Sequence, residues 1–352
     1  MLTCIHSPNH EPRVYHKPMN FRSRSKAALE AFQTALDCIY NSGVPSLIID
    51  CLRWQGYCYG HLQLWDDAQG CLQKALGFAE GMAEPNTIIR CQLQIAQINR
   101  SQGNLKEAAR LLSMIDMKDQ HIPVNLKIDI LEEQGHIHQT QGLYINAIRV
   151  MRQMCSVAAE SAQPERLAKA WQTLGQVYRN YGDFKEALHC FAASGHIAEE
   201  ISNDGLRTHI DYEIGMTHIA SGDFAEGSTL LIQSCKAYEE LGQKSAVVII
   251  WYAIAETYSN WGKFAQAHEY YQLAREQFIT MKQSADIADL EASVGAMEAQ
   301  RGSYQPAIQH YQQALHQYIQ LDQPLDIANI WKNIGDTYRQ WGGLLNPKSI
   351  IK

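Results

Sequence analysis

Some residues of the chain have chemistry to offer. The stretch LGQVYRNYGDFKEALHCFAAS, residues 174–194, sets Gly175 and Gly182 beside Tyr178 and Phe184. Glycine-rich loops cradle phosphates when they link a strand to a helix, and no strand is expected before this one. Near the N-terminus, Cys4, His6, His10 and His16 are metal-ligand types. A closed zinc site needs a second ligand pair at set spacing, and none follows, so no metal is expected. His136 and His138 stand two apart, which turns them to different sides of a helix. His189 and His196 can share a face, but no carboxylate or cysteine completes a site with them. GxSxG, HExxH, GxxxxGKS/T and DxDxDG motifs are all missing. The chain reads as a non-enzyme without a cofactor.

The glycines have another explanation, because their context returns. Residues 214–234, 254–274 and 294–314 repeat the pattern of 174–194. With Gly175 as anchor, the equivalents are Gly56, Ala96, Gly135, Gly175, Gly215, Ala255, Gly295 and Gly335, in steps of 40, 39, 40, 40, 40, 40 and 40. A fixed period of this size marks a repeat array. Within one unit, Leu167, Ala170, Trp171, Leu174, Val177 and Tyr178 recur three and four apart, one face of a helix A. Pro164 suits its first turn, where a missing N–H costs nothing, and Pro45, Pro85 and Pro324 share that offset. Gly182 suits its left-handed end. Asp183 with Glu186 has capping-box spacing for a helix B, as do Asn104 with Glu107 and Asp223 with Glu226. The small anchor lets helix A approach helix B closely, and Ala187 with its equivalents returns the favour.

The order small–x–x–aromatic, Gly–x–aromatic, Ala, aromatic resembles the tetratricopeptide repeat, with Trp171, Trp251 and Trp331 at that motif's early tryptophan position. The resemblance covers roughly residues 25–342, and Ala96, Asn99 and His138 depart from it. The longer period is similar to Pins-type repeats and to bacterial peptide-sensing regulators of the Rap type. It implies an all-α fold: an α-solenoid, a right-handed superhelix of antiparallel helix pairs. About seven full repeats are expected, with a half repeat at each end. The expected boundaries are a disordered tail over 1–22, the solenoid over 23–342 and an irregular tail over 343–352. Residues 26–40 read as a lone helix B. Helix A of repeat 8 runs from Pro324 to Trp341 with no helix B behind it. Either it caps the array, or the array belongs to a longer one. Its uncovered Trp331, Ile334 and Tyr338 would invite a homodimer.

Composition limits the partners. The net charge of −7 argues against general nucleic-acid binding, which wants a basic face. Nine cysteines, an odd number with no CxxC, suit a reducing cytoplasm. No apolar run is long enough for a membrane span, and the N-terminus has no signal-peptide core.

In the resembled family, helix A lines the concave groove. Its groove-facing positions lie six and three residues before the anchor and one, four and five after it. Carried onto this chain, repeats 1–4 present five basic and three acidic positions, among them Asp50, Arg53, Arg90, Asp129 and Glu132, and the polar Gln97 and His136 stand with them. Repeats 5 and 6 turn apolar, and Ala292, Ala296 and Ala299 line repeat 7. The partner-binding candidates are Arg100, Arg179, Asn180, Tyr212, Met216, Ile219, Tyr252, Glu256 and Asn260. An acidic stretch would meet Arg179, Asn180 and Arg100, since the arginine fork grips a carboxylate with two hydrogen bonds. Tyrosine, methionine and arginine are what interfaces favour. The expected function is a non-catalytic protein- or peptide-binding scaffold or adaptor. The alternatives are a peptide-responsive sensor, or the regulatory repeat part of a longer enzyme or transcription factor.

Overall fold

The computed structural model describes residues 20–39 and 44–342. Among them are sixteen helices. Helix α1 (Asn20–Ile39) is the lone helix B, beginning three residues ahead of the expected boundary. Then come α2 (Pro45–His61) with α3 (Trp65–Gly81), α4 (Pro85–Ser101) with α5 (Leu105–Ser113), and α6 (Val124–Thr140) with α7 (Tyr144–Ala159). The pairs α8 (Pro164–Tyr181) with α9 (Phe184–Glu200) and α10 (Asp204–Ala220) with α11 (Phe224–Glu240) follow. After them stand α12 (Lys244–Asn260) with α13 (Phe264–Thr280), α14 (Ser284–Arg301) with α15 (Tyr304–Gln320), and α16 (Pro324–Gln340). The helices pack as sequential antiparallel pairs, the α-solenoid expected from the period. The tail residues 1–19 and 343–352, with the Cys4–His16 cluster, lie outside the described residues.

The chain forms two compact units, one over Arg22–Ala237 and one from Tyr238 onward. In the first, Leu131, Met151, Met154, Leu174, Val177, Cys190 and Phe191 share one core, with Trp171 packed against it. A smaller core joins Leu93, Leu112, Ile115, Ile122, Leu126 and Ile130. In the second unit, Ala307, Tyr311, Ala314, Tyr318, Ile330 and Ile334 belong to one core cluster.

Local chemistry explains the punctuation. Pro45, Pro85, Pro164 and Pro324 each open a helix A. Gly182 closes α8 at φ 92°, a backbone that a side chain would strain. Asp183 caps α9 by accepting the Glu186 N–H at 3.3 Å, and Asp223 accepts that of Glu226 at 3.3 Å. Asn104 does not cap α5 as its spacing suggests: its side-chain amide donates to Gln102 Oε1 at 3.3 Å instead. At the anchor, a Cβ on Gly175 would stand 2.9 Å from the Phe191 ring, so only glycine admits that ring. At Gly335 the same Cβ would meet nothing within 4 Å, and Trp331 on the same helix is 50% exposed.

Repeat 2 breaks the pattern. Its helix B, α5, has only nine residues. Residues 114–123 replace the missing turns with an irregular segment that buries Ile115 and Ile122. Asp119 Oδ1 holds it by accepting the His121 N–H at 2.9 Å and facing the His121 ring nitrogen at 2.8 Å.

Candidate functional site

The groove positions of the first unit open on a cavity of about 390 Å³, lined from three successive A helices. Helix α2 contributes Arg53, helix α4 contributes Arg90, Gln94, Gln97 and Arg100, and helix α6 contributes Asp129, Glu132, Glu133 and His136. Since α2, α4 and α6 stack in register, equal positions stand side by side. The volume falls in the range of small-ligand and peptide side-chain sites.

Charge is laid out in rungs between repeats. Arg100 donates from Nε to Glu133 Oε1 at 2.6 Å and from Nη2 to Oε2 at 3.3 Å. Arg166 Nη1 donates to Asp129 Oδ1 at 2.5 Å. Glu132 faces Lys169 Nζ at 3.3 Å and His136 Nε2 at 3.9 Å. Burial pushes the Glu132 carboxyl up, but the bonds and charges of His136 and Lys169 outweigh it and hold it at about 2. Further along, Arg179 Nη1 donates to Glu213 Oε2 at 2.5 Å and to the Glu213 carbonyl at 3.2 Å, while Gln176 Nε2 donates to Glu213 Oε1 at 2.6 Å.

Both arginines expected to meet an acid are already paired within the chain. Arg100 and Arg179 spend their guanidinium groups on Glu133 and Glu213, both buried carboxylates of the next repeat. Arg179 also lies over the Phe191 ring, 5.7 Å from its centroid. Asn180 is exposed, while Tyr212, Met216 and Ile219 are half-buried. Ile219 packs against the bare backbone of Gly227, so part of it serves the pair's own interface. Sequence reasoning passed over Glu133 and Glu213 because both sit two residues before an anchor, off the expected groove positions. A signal was present: each follows an arginine at anchor-plus-four by 33 or 34 residues.

The second unit carries the remaining candidates. Tyr252 OH and Ser293 Oγ share a hydrogen bond of 2.6 Å, and Tyr252 packs edge-on against Tyr271. Tyr271 OH donates to Glu256 Oε1 at 2.6 Å, so Glu256 is tied to its own helix pair. Asn260 is exposed. Nearby, Ile249, Tyr252, Phe278 and Asp286 line a shallow apolar notch. Burial, with Asp289 adding to it, pushes the Asp286 carboxyl up to about 6. Glu291 is buried against His310 Nδ1 at 2.7 Å, with Arg275 Nε 2.9 Å away but not aligned for an N–H···O bond. Among the described residues, no group of three or more His, Cys, Asp or Glu could hold a metal ion, and no helix is long and apolar enough to cross a membrane.

The family model described as soluble NSF attachment protein, SNAP, matches residues 172–325, under half of the chain. No curated protein matches the sequence. Among solved structures, the chain is similar to a Signal Transduction ATPase with Numerous Domains protein with a tetratricopeptide repeat sensor from Pyrococcus horikoshii. The identity is 13% and the TM-score 0.56; the match covers 92% of this chain but only 54% of that one, so the chain spans about half its length. It is also similar to a Rap protein complexed with competence and sporulation factor, at 10% identity, TM-score 0.52, covering 91% and 99% of the two chains. A tetratricopeptide repeat protein from Parabacteroides merdae matches at 16% identity and TM-score 0.55, covering 82% and 98%. At such identities the likeness is one of fold. The chain has a tetratricopeptide-like repeat fold, an α-solenoid of antiparallel helix pairs.

Proposed function

We propose that the chain is a non-catalytic scaffold or adaptor that binds a protein or peptide along its A helices, in the cytoplasm. The observation that carries this reading is the 390 Å³ cavity. It opens on the groove positions, and its lining is polar and charged rather than a completed core. In the first unit Arg179 and Arg100 then act as the frame of the groove and Asn180, Tyr212 and Met216 offer the contacts; the second unit, by itself, offers Tyr252 and Asn260. Asn180 and Asn260 suit a ligand backbone, because a primary amide both donates and accepts.

A sensor is the second reading. The Rap protein of this fold was solved with a bound factor, and the Pyrococcus horikoshii protein is described as carrying a repeat sensor. The short α5 lies in sequence between α4 and α6, which supply most of the cavity's lining. Self-association through the face of α16 that bears Trp331 belongs to the same proposal, and sedimentation at rising concentration reads it.

The test is capture from host-cell lysate on the parent chain and on a Gln97→Ala/Asn180→Ala variant. Both substitutions remove groove side chains and touch no ion pair. A protein held by the parent and lost by the variant supports the groove. A protein held equally by both moves the site elsewhere. A change in radius of gyration on binding separates sensor from scaffold.

A further inference from the structure

Helix α16 is a helix A, and no helix B follows it among the described residues. It matches α8 at the positions that α8 turns to its own helix B. Trp331, Gly335, Tyr338 and Arg339 stand where α8 has Trp171, Gly175, Tyr178 and Arg179. In α8 the glycine is buried, a Cβ on it would stand 2.9 Å from the Phe191 ring, and Arg179 lies over that ring. In α16, Trp331, Gly335 and Arg339 are exposed, and a Cβ at Gly335 would meet nothing within 4 Å. The socket that receives an aromatic ring in repeat 4 is thus built again in repeat 8 and left open.

Helix α1 has the opposite want. It is a helix B, and no helix A precedes it among the described residues. Phe191, Met151, Leu112, Leu72 and Phe32 stand in steps of 40, 39, 40 and 40, the knob position of successive B helices. The first four are buried, and Phe32 is only half-buried. The pattern holds along the helix. Where α9 buries Ala187, Cys190, Phe191 and Ser194, α1 carries Ala28, Ala31, Phe32 and Ala35. Ala31 is exposed and the other three are half-buried, Phe32 and Ala35 resting on a core shared with α2 and α3. An A helix without its B and a B helix without its A are complements. The surface they would form continues, from one molecule to the next, the interface that α8 and α9 make within the chain. We propose that α1 of a second copy docks antiparallel on α16, with Phe32 over Gly335 and beneath Arg339, so that copies join head to tail. This rests on self-association through α16 and names the surface that meets it. A symmetric α16 joint would use one face twice and stop at two copies. A head-to-tail joint leaves an open α1 at one end and an open α16 at the other, so growth continues.

Sedimentation velocity on the full chain at rising concentration tests it, with two variants that block opposite ends. Gly335→Leu fills the socket, where open space lets the fold accept the side chain. Ala31→Arg sets a long charged side chain at an exposed position of the α1 face. The parent should pass from one copy to species larger than two. Each variant alone should need about tenfold more protein to associate, the loss expected for one anchor of an interface. Mixed one to one, the variants should form a pair and go no further, because the intact socket of Ala31→Arg receives the intact α1 of Gly335→Leu. Melting temperatures no lower than the parent's show that both variants fold. Association that stops at two copies, is lost in Gly335→Leu and ignores Ala31→Arg is the symmetric joint. It overturns the head-to-tail inference and leaves self-association standing. Loss in both variants without a pair on mixing also overturns the inference. A single copy at every concentration overturns it together with self-association through α16.

Discussion

Arg179 and Glu213, 34 residues apart, form an ion pair of 2.5 Å between adjacent A helices, with side chains only 17% and 5% exposed. The pair ties repeat 4 to repeat 5 as a rivet would. Removing one partner strands the other charge away from water. Arg179→Ala or Glu213→Gln should cost about 3 kcal/mol of stability. Replacing both by apolar residues of similar size should recover most of that loss. Urea unfolding of the two single variants and of Arg179→Met/Glu213→Leu checks this. A double variant as weak as either single one would show that the pair contributes more than mutual neutralisation.

Two glycines at the same repeat position should respond with opposite signs. Gly175→Ala forces a Cβ against the fully buried Phe191 ring, which has no free space, and should cost about 1–3 kcal/mol. Gly335→Ala meets open space inside a helix and should add about 0.5–1 kcal/mol. Thermal melts of both variants suffice, and equal shifts would refute the packing described at the anchors.

Two strongly perturbed carboxyls, Asp286 and Glu132, give opposing pH dependences. Asp286 is raised in the folded chain, from an ordinary 3.8 to about 6, so the folded state binds the extra proton. Its contribution is present below about 4 and is lost as pH rises to about 6. Asp286→Asn should therefore raise stability at pH 7 and flatten that window. Glu132 is lowered from 4.5 to about 2, so its contribution is present above 4.5 and lost as pH falls towards 2. Glu132→Gln should lower stability at neutral pH and have no effect near pH 2. Denaturant midpoints across pH 2–7 for both variants read the two windows.

Thiol reactivity should be sharply graded. Burial pushes Cys155 and Cys190 up to about 12 and Cys91 up to about 11, so none offers thiolate at neutral pH. Cys38 is exposed and Cys71 half-buried. Among the described cysteines, brief native alkylation followed by peptide mass spectrometry should label Cys38 first and Cys155 last. Early labelling of Cys155 would mean that the core of the first unit opens readily.

The fold was legible because its signals recur. One Gly–x–x–Tyr could be chance, but eight anchors in step cannot, and proline, glycine and Asp183 fall where helix-end chemistry needs them. The cavity walls were half legible. Arg53, Arg90, Gln97, Asp129, Glu132 and His136 all follow from the groove rule. Which arginine stays open did not, because that depends on pairing between positions in different repeats: Arg100 finds Glu133 across 33 residues, and Arg90 finds no such carboxylate. The single 39-residue step between Ala96 and Gly135 was the only trace of the lost turns in α5. Periodicity reports that a residue is missing but not how the chain fills the gap.

The nine residues of α5 stand against sixteen or more in every other described helix. In an array whose elements are held by their neighbours, cohesion at each seam scales with the helix surface that meets there. The seam behind α4 and α6 is therefore the one that yields first to a load. Pulled between Pro45 and Ala220 in a force spectrometer, the first unit should lengthen at α5 and its irregular segment before any other pair parts. A molecule laid across the cavity, with one end on α4 and the other on α6, would act as a splint over that seam and raise the force at which it gives way.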